Sequence, residues 1–325
     1  MDVGFFAAHE EHPPMDLLEH VAAAEVAGFD TAWTSDHLHP WWDEGAHCGA
    51  AWPWLGAALE RTTDISLGTG VTPPIGRYHP GLIAQTFSTL AAMYPGRVFF
   101  TLATGEAMNE RPLGFEWPDY PERRQRVIDA CEIIRSLWDG EFTDYDGEFW
   151  ELDTMKLYTC PEERPSLYVA ANGPKSAYVA GRYGDGFLTT IDDLDRYENV
   201  LLPALEDGAA DGNRDPDEIR RIKHMGVSYD EDYDRALDAV QDWLGPLVIG
   251  HSEDIYDPRE IEAKTADIPR EDWADWGLVT TDVGEIISDI DRYAAAGFDE
   301  VELLSTSPDQ LGFVAAMAPE LPAYG

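Results

Sequence analysis

The segment Ser35-Asp36-His37-Leu38-His39-Pro40-Trp41-Trp42 holds the first candidates for chemistry. An imidazole titrates near neutrality and a neighbouring carboxylate can fix its orientation, so His37 beside Asp36 reads as a general base, with a solvated loop histidine as the bland alternative. His37 and His39, two residues apart, could also face one side of a strand and share a metal. The later strand ends AANGPK and LTTIDD offer no histidine to complete such a set, so His39 is read as structural and no metal is expected. Glu106 follows Gly105 at the end of an apolar run. Partial burial is expected there, which raises a carboxyl pKa and suits proton donation. In Asn172-Gly173-Pro174-Lys175-Ser176 a proline stands at a first helical position after a strand, and the exposed N–H groups of such a turn make an anion site. Trp41, Trp42, Trp52 and Trp54 read either as packing residues or as an aromatic wall for a flat ring.

These residues need elements that bring them to one rim. Short apolar runs predict strands at Val3–Ala7, Thr31–Ser35, 65–71, 97–103, 167–171, 187–190, 222–227 and Val301–Ser305. Amphipathic segments lie between them. In PMDLLEHVAAAEVAGFD, Leu17, Leu18, Val21 and Ala24 form one face, and Gly28 sits where a left-handed cap is wanted. Eight strands, each followed by a helix, predict a single α/β domain over residues 1–325 with a (β/α)8 TIM-barrel architecture. In that fold the catalytic groups sit at the C-terminal strand ends. Glu10, Asp36, His37, Gly70, Glu106 and Asn172 all fall at such ends. The tetrapeptide Ala-Gly-Phe-Asp occurs at 27–30 and again at 296–299, each time between a helical pattern and a strand. Residues 243–275, rich in acid, Pro and Trp, read as an insertion after strand seven. Residues 107–121 and 140–165 read as long loops with short extended pieces.

Composition narrows the partners. Sixty-three Asp and Glu stand against 22 Lys and Arg, a formal net charge of −41, and only Lys156, Lys175, Lys223 and Lys264 are lysines. Such a surface repels nucleic acid and anionic membranes. Aromatic residues make up 11% of the chain and are spread along it, which argues against disorder. A folded protein of this charge fits molar salt, where the Debye length shrinks to roughly 3 Å. Three scattered cysteines make neither a disulfide framework nor a zinc site, and MDVGFFAA lacks a basic leader region. A cytoplasmic, soluble protein without a membrane or nucleic-acid partner is expected.

The stretches SDHLHPWWDEGAH, LGTGVTPPIGRYHPGLIAQTFSTLAAMYPGRV, TGEAMNE, AANGPKSAYVAGRYGDGF and SYDEDYDRAL together resemble the F420-dependent branch of the bacterial luciferase-like family. Within it they are similar to the glucose-6-phosphate dehydrogenases and the secondary-alcohol dehydrogenases. The resemblance implies a luciferase-type (β/α)8 barrel with coenzyme F420 across its mouth and a homodimeric assembly. It places Asp36 and His37 beside the deazaflavin, with His37 taking the proton of a substrate hydroxyl, Trp41 on the substrate side, and Glu106 near ring N1. Glu10 matches a further active-site carboxylate. Gly70-Val71 matches a non-prolyl cis peptide behind the ring, Asn109 a ring contact, and Gly173, Pro174, Lys175 and Ser176 the phosphate site. Thr104, Ala171 and Asn172 complete the implied coenzyme contacts. The basic clamp of the sugar-phosphate dehydrogenases is replaced: the matching positions are Asp192 or Asp193, Ser252 and Asp275. A phosphate dianion beside carboxylates is unfavourable, so a neutral alcohol or free sugar is expected as hydride donor. Glucose 6-phosphate itself, imine or enoate reduction, and an FMN-dependent monooxygenase are the alternatives; a non-catalytic flavin-binding relative belongs to a different class.

Overall fold

The computed structural model describes residues 1–249, 254–321 and 324. Eleven strands are present among them: β1 (Asp2–Ala7), β2 (Thr31–Thr34), β3 (Ser66–Thr72), β4 (Val98–Leu102), β5 (Thr143–Asp146), β6 (Glu151–Met155), β7 (Ser166–Ala170), β8 (Gly186–Thr189), β9 (Arg220–Tyr229), β10 (Leu278–Thr280) and β11 (Glu300–Ser305). All eight runs expected from the sequence are strands, with ends shifted by one or two residues. The chain falls into two compact units. One comprises Met1–Ile65, Glu106–Pro112 and Lys223–Gly325, the other Ser66–Gly105 and Leu113–Ile222.

In the first unit β1 pairs in parallel with β2 on one side and β11 on the other, Gly4 facing Thr31 and Asp2 facing Glu300, and β10 runs parallel to β9. Gly4 is required where it stands. A Cβ there would come within 2.5 Å of Thr31 Oγ1 and 2.8 Å of Glu302 Cβ. Those neighbours belong to a buried polar layer in which Glu300 accepts from the Trp33 indole and the Thr31 hydroxyl, and Glu302 pairs with His224. Helix α1 (Pro14–Ala27) buries Leu17, His20, Val21 and Ala24. The buried stripe thus follows 17, 20, 21 and 24, with His20 filling the place expected of Leu18, because that spacing tracks one helical face. Gly28 ends the helix at φ 99°, and Gly297 takes φ 87° at the second Ala-Gly-Phe-Asp. In both copies the following phenylalanine is 4% exposed, so the repeat delivers an aromatic residue to the core at the entry to a strand.

In the second unit β3, β4, β7 and β8 form a parallel run, Gly68 opposite Phe99 and Phe100 opposite Leu167. Every residue of β4, VFFTL, is buried, the pattern of a parallel strand covered on both faces. Phe100 stacks on Phe87 at 4.4 Å from the helix Pro80–Met93. The stretch 140–165 contains an antiparallel hairpin of β5 and β6. The described residues of the stretch 243–275, read as an insertion, are mostly helical. It holds the turns Gln241–Leu244 and Arg270–Trp276 and the helices Gly245–Ile249 and Pro258–Thr265.

Candidate functional site

The first unit gathers the residues expected from sequence to handle protons. The turn after β1 carries Glu10, which is 1% exposed. Ser35, the first residue beyond β2, donates its hydroxyl to Glu10 Oε2 at 2.6 Å and accepts from the His9 amide at 2.9 Å, so one side chain fixes both the carboxylate and its turn. His37 presents Nδ1 to the His39 carbonyl at 3.2 Å and to Glu10 Oε1 at 3.5 Å. A carbonyl oxygen only accepts. Nδ1 therefore carries the hydrogen, and Nε2 is the nitrogen left to take a proton. Nε2 lies 3.2 Å from Glu106 Oε2, and the Glu106 side chain keeps 37% of its surface in solvent against 12% for His37. Asn109 ties this arrangement together: its amide donates to Glu106 Oε2 at 3.2 Å, and its carbonyl accepts from Leu38 N at 2.8 Å. Asp36, 1% exposed, accepts from the Trp52 indole at 3.1 Å.

The tryptophans are packed. Trp41 and Trp42 are 7% and 5% exposed. Trp41 meets the His37 ring at 5.0 Å, and Gly245 leaves room for it, since a Cβ there would come within 2.9 Å of Trp41 Cβ. Trp42 lies edge-on to Trp243 at 5.7 Å. His39 Nδ1 lies 3.4 Å from the Tyr256 carbonyl. Among the described residues no three His, Cys, Asp or Glu side chains are grouped to hold a metal ion.

Beside this site is a set of buried histidines. His9 is fully buried against Trp54, and His12 packs edge-on to His20 at 4.9 Å. Burial pushes the His9 imidazole down to about 4 against the opposing pull of Glu10, and it likewise pushes His12 down to about 4 and His20 below its ordinary value. The unfolded chain takes up protons at these rings near pH 6.5 while the native protein does not. Their stabilising contribution is therefore complete above that pH and is lost as pH falls toward 4, at up to ~1.4 kcal/mol per pH unit for each ring. Urea midpoints in molar KCl should fall between about pH 6.5 and pH 4.5, and fall less in His9→Gln. A midpoint constant over that range contradicts the assignment.

The second unit carries the remaining candidates. The Gly70-Val71 peptide is cis, and the register of β3 shifts between Thr69 and Thr72. Gly105 has φ 66°, and a Cβ there would meet Pro73 at 2.7 Å, so only glycine suits the end of β4. The helix Pro174–Tyr183 opens with Pro174 at its first turn. Gly173 is the N-cap, gives no side-chain cap and has open space where a Cβ would point. Asn172 is locked by Thr190 N at 3.0 Å and the Thr189 hydroxyl at 3.1 Å, while Arg196 donates to its carbonyl at 2.9 Å. The Ser176 hydroxyl bonds Tyr120 at 2.8 Å, Ala171 is buried in the sheet, and Lys175 is exposed. Thr104, Arg124 and Ser176 border one small cleft. Arg124 Nε is buried without a hydrogen-bond partner among the described residues. The uncapped start of the helix, Ser176, Lys175 and Arg124 are groups that could bind an anion.

Of the positions matching a phosphate clamp, Asp193 caps the turn Leu194–Arg196, Asp275 is exposed, and Ser252 lies outside the described residues. Arg259 is engaged by Asp257 in a two-pronged pair at 2.9 and 2.6 Å, and Arg77 lies over the Tyr78 ring. Ser35 has a sequence signal in its strand-end position within the SDH segment. Tyr120 and Arg124 belong to a helix whose polar face carries no local mark of a ligand.

The family model described as luciferase-like monooxygenase matches residues 1–300. The chain is 40% identical over 321 residues to an F420-dependent glucose-6-phosphate dehydrogenase of Microbacterium testaceum, covering 98% of this chain and 95% of that protein. It is 41% identical over 322 residues to one of Beutenbergia cavernae, covering 98% and 96%. A solved F420-dependent secondary alcohol dehydrogenase, in complex with an F420–acetone adduct, superposes with a TM-score of 0.95 at 37% identity, over 100% of this chain and 99% of that one. The fold is the luciferase-like closed barrel of eight parallel strands with surrounding helices.

Proposed function

The chain belongs to the luciferase-like family, and from that premise we propose that it is an F420-dependent dehydrogenase that takes hydride from a neutral hydroxylated substrate. The observation that carries this reading is the His37 imidazole, which donates Nδ1–H to the His39 carbonyl and is held between Glu10 and Glu106. The Gly70-Val71 turn, Thr104, Asn109 and the residues 171–176 would hold the coenzyme, with Lys175, Ser176 and Arg124 toward its anionic part. When bound, F420 supplies the carbon that accepts the hydride. His37 Nε2 takes the hydroxyl proton. Glu10 and the His39 carbonyl favour the imidazolium that results. Glu106, partly in solvent and 3.2 Å away, passes protons between His37 and its surroundings and stands as the acid for the coenzyme. Trp41 covers the imidazole and keeps water from one face.

The relatives named as glucose-6-phosphate dehydrogenases set the sharpest comparison. A charge-assisted hydrogen bond contributes ~1.5–3 kcal/mol, so losing two or three should cost on the order of 10²-fold or more in kcat/KM even with imperfect additivity. Assayed with F420 in molar KCl, 2-propanol or glucose should outperform glucose 6-phosphate. A clear preference for the phosphate ester would overturn the neutral-substrate reading. The net charge of −41 supports a halophilic, haloarchaeon-like source. The free thiols of Cys48, Cys131 and Cys160 support a reducing cytoplasm, and no helix among the described residues is long and apolar enough to cross a membrane. Kinship with the dehydrogenases supports a homodimer. The acidic surface speaks against nucleic acid as a partner.

A further inference from the structure

Tyr256 lies in the stretch 243–275 and takes no part in the proton route above. Its backbone is fixed from both sides. Ile255 before it is buried, and Asp257 after it caps the helix Pro258–Thr265, accepting from Arg259 N at 3.0 Å. That helix buries Ile261. Where a Cβ of Gly245 would stand, Ile261 Cγ2 and Trp41 Cε3 both lie 3.2 Å away, so the insertion is seated on the loop that carries His37. Glu262 accepts from Asp43 N at 3.1 Å, and Trp243 packs on Trp42 while donating to Glu11 Oε2 at 3.2 Å.

From this seat Tyr256 reaches two loops. Its carbonyl accepts from His39 Nδ1 at 3.4 Å, and the His39 carbonyl accepts from His37 Nδ1 at 3.2 Å, so two hydrogen bonds in series run from Tyr256 to the base. Its ring lies under the Arg111 guanidinium at 5.0 Å. Arg111 has no carboxylate partner among the described residues, although the chain carries 63 acids; the ring face takes that place. Arg111 opens the second of two three-residue 3-10 turns that follow Glu106, Ala107–Asn109 and Arg111–Leu113. Such short turns have poor hydrogen-bond geometry, so their placement depends on ties to other elements. Asn109 supplies the inner tie, bonding Glu106 Oε2 and Leu38 N. Tyr256 supplies an outer one, and it spans the same pair of loops.

We propose that Tyr256 is a positioning residue that keeps His37 and Glu106 in register, its carbonyl acting on His37 through His39 and its ring acting on the Glu106 loop through Arg111. The effect on turnover rests on the dehydrogenase reading; the tie between the loops does not. The 3.2 Å approach of His37 Nε2 to Glu106 Oε2 joins two separate loops, so a tie that spans both controls it. Small misplacements of reacting groups cost rate steeply, which lets a residue outside the reacting cluster matter to turnover. Phenylalanine keeps the ring face that Arg111 needs; alanine removes it and leaves the carbonyl to His39.

The test uses the full chain in molar KCl, as wild type, Tyr256→Phe, Tyr256→Ala, Arg111→Gln and the double variant Arg111→Gln/Tyr256→Ala. Without coenzyme, amide hydrogen exchange read by mass spectrometry should speed up at least about threefold in Tyr256→Ala, in peptides covering both 36–43 and 106–112, and stay at the wild-type rate in Tyr256→Phe. With F420 and whichever of 2-propanol or glucose is turned over, Tyr256→Ala should lose ~5- to 30-fold in kcat, with KM and F420 affinity within about threefold of wild type. Tyr256→Phe should keep most of the rate. Arg111→Gln should fall in the same direction, and the double variant should be no slower than the slower single one, because both remove one contact. Faster exchange confined to the peptide holding residue 256, or spread over the whole chain with a lower melting temperature, would make Tyr256 an ordinary packing residue and overturn the proposal. Equal losses in kcat and in F420 affinity, or additive losses in the double variant, would overturn it too. If no compound bleaches F420, the dehydrogenase reading fails, and the exchange pattern still decides whether Tyr256 ties the two loops.

Discussion

Replacing His37 by asparagine should slow turnover by ~10²- to 10⁴-fold, the usual contribution of a positioned general base, while leaving F420 affinity within a few-fold of wild type. The asymmetry follows from the geometry. His37 meets Glu10, Glu106, the His39 carbonyl and Trp41, all groups of the proton-handling cluster. The residues 171–176, proposed to hold the anionic part of the coenzyme, belong to other elements. Asparagine can still donate toward the His39 carbonyl, so the loop keeps a tie, but it has no nitrogen that can be protonated. The comparison is single-turnover reduction of F420 alongside fluorescence titration of the coenzyme. Wild-type turnover in the mutant removes His37 from its role, and an equal collapse of coenzyme binding makes it a structural residue.

Withdrawal of salt should unfold the protein. Dilution from molar KCl to about 0.01 M lengthens the Debye distance from ~3 Å to ~30 Å, and carboxylates that ignored one another then repel across much of the molecule. The 22 basic residues cannot compensate 63 acids. Many are spent on local pairs such as Arg126 with Glu122, Arg135 and Arg214 with Asp185, and Arg270 with Asp234 and Asp238. Far-UV circular dichroism followed through a salt dilution should show loss of helical signal, recovered when KCl is restored. Structure and melting temperature that stay unchanged at low salt contradict the halophilic reading.

The predicted strands were legible because parallel strands buried on both faces are near-continuous apolar runs, as in VFFTL of β4. The site residues were legible by a second route, as polar groups placed where those runs stop. What stayed hidden is long-range pairing and short elements. Three residues make β10, too few for a period to show. His37 and Glu106 are 69 residues apart, and Glu11 and Trp243 are 232 apart. No local pattern announces that their side chains meet. Leu18 and His20 illustrate a finer limit: hydrophobicity favoured the leucine, but helical geometry buried the imidazole.

Coenzyme choice is the most direct measurement. Purified protein in molar KCl, titrated into F420 and separately into FMN, should quench F420 fluorescence saturably with little response from FMN, and addition of a hydroxylated compound should then bleach the deazaflavin absorbance. Tight FMN binding with no F420 response would contradict the assignment of this chain as an F420-dependent dehydrogenase.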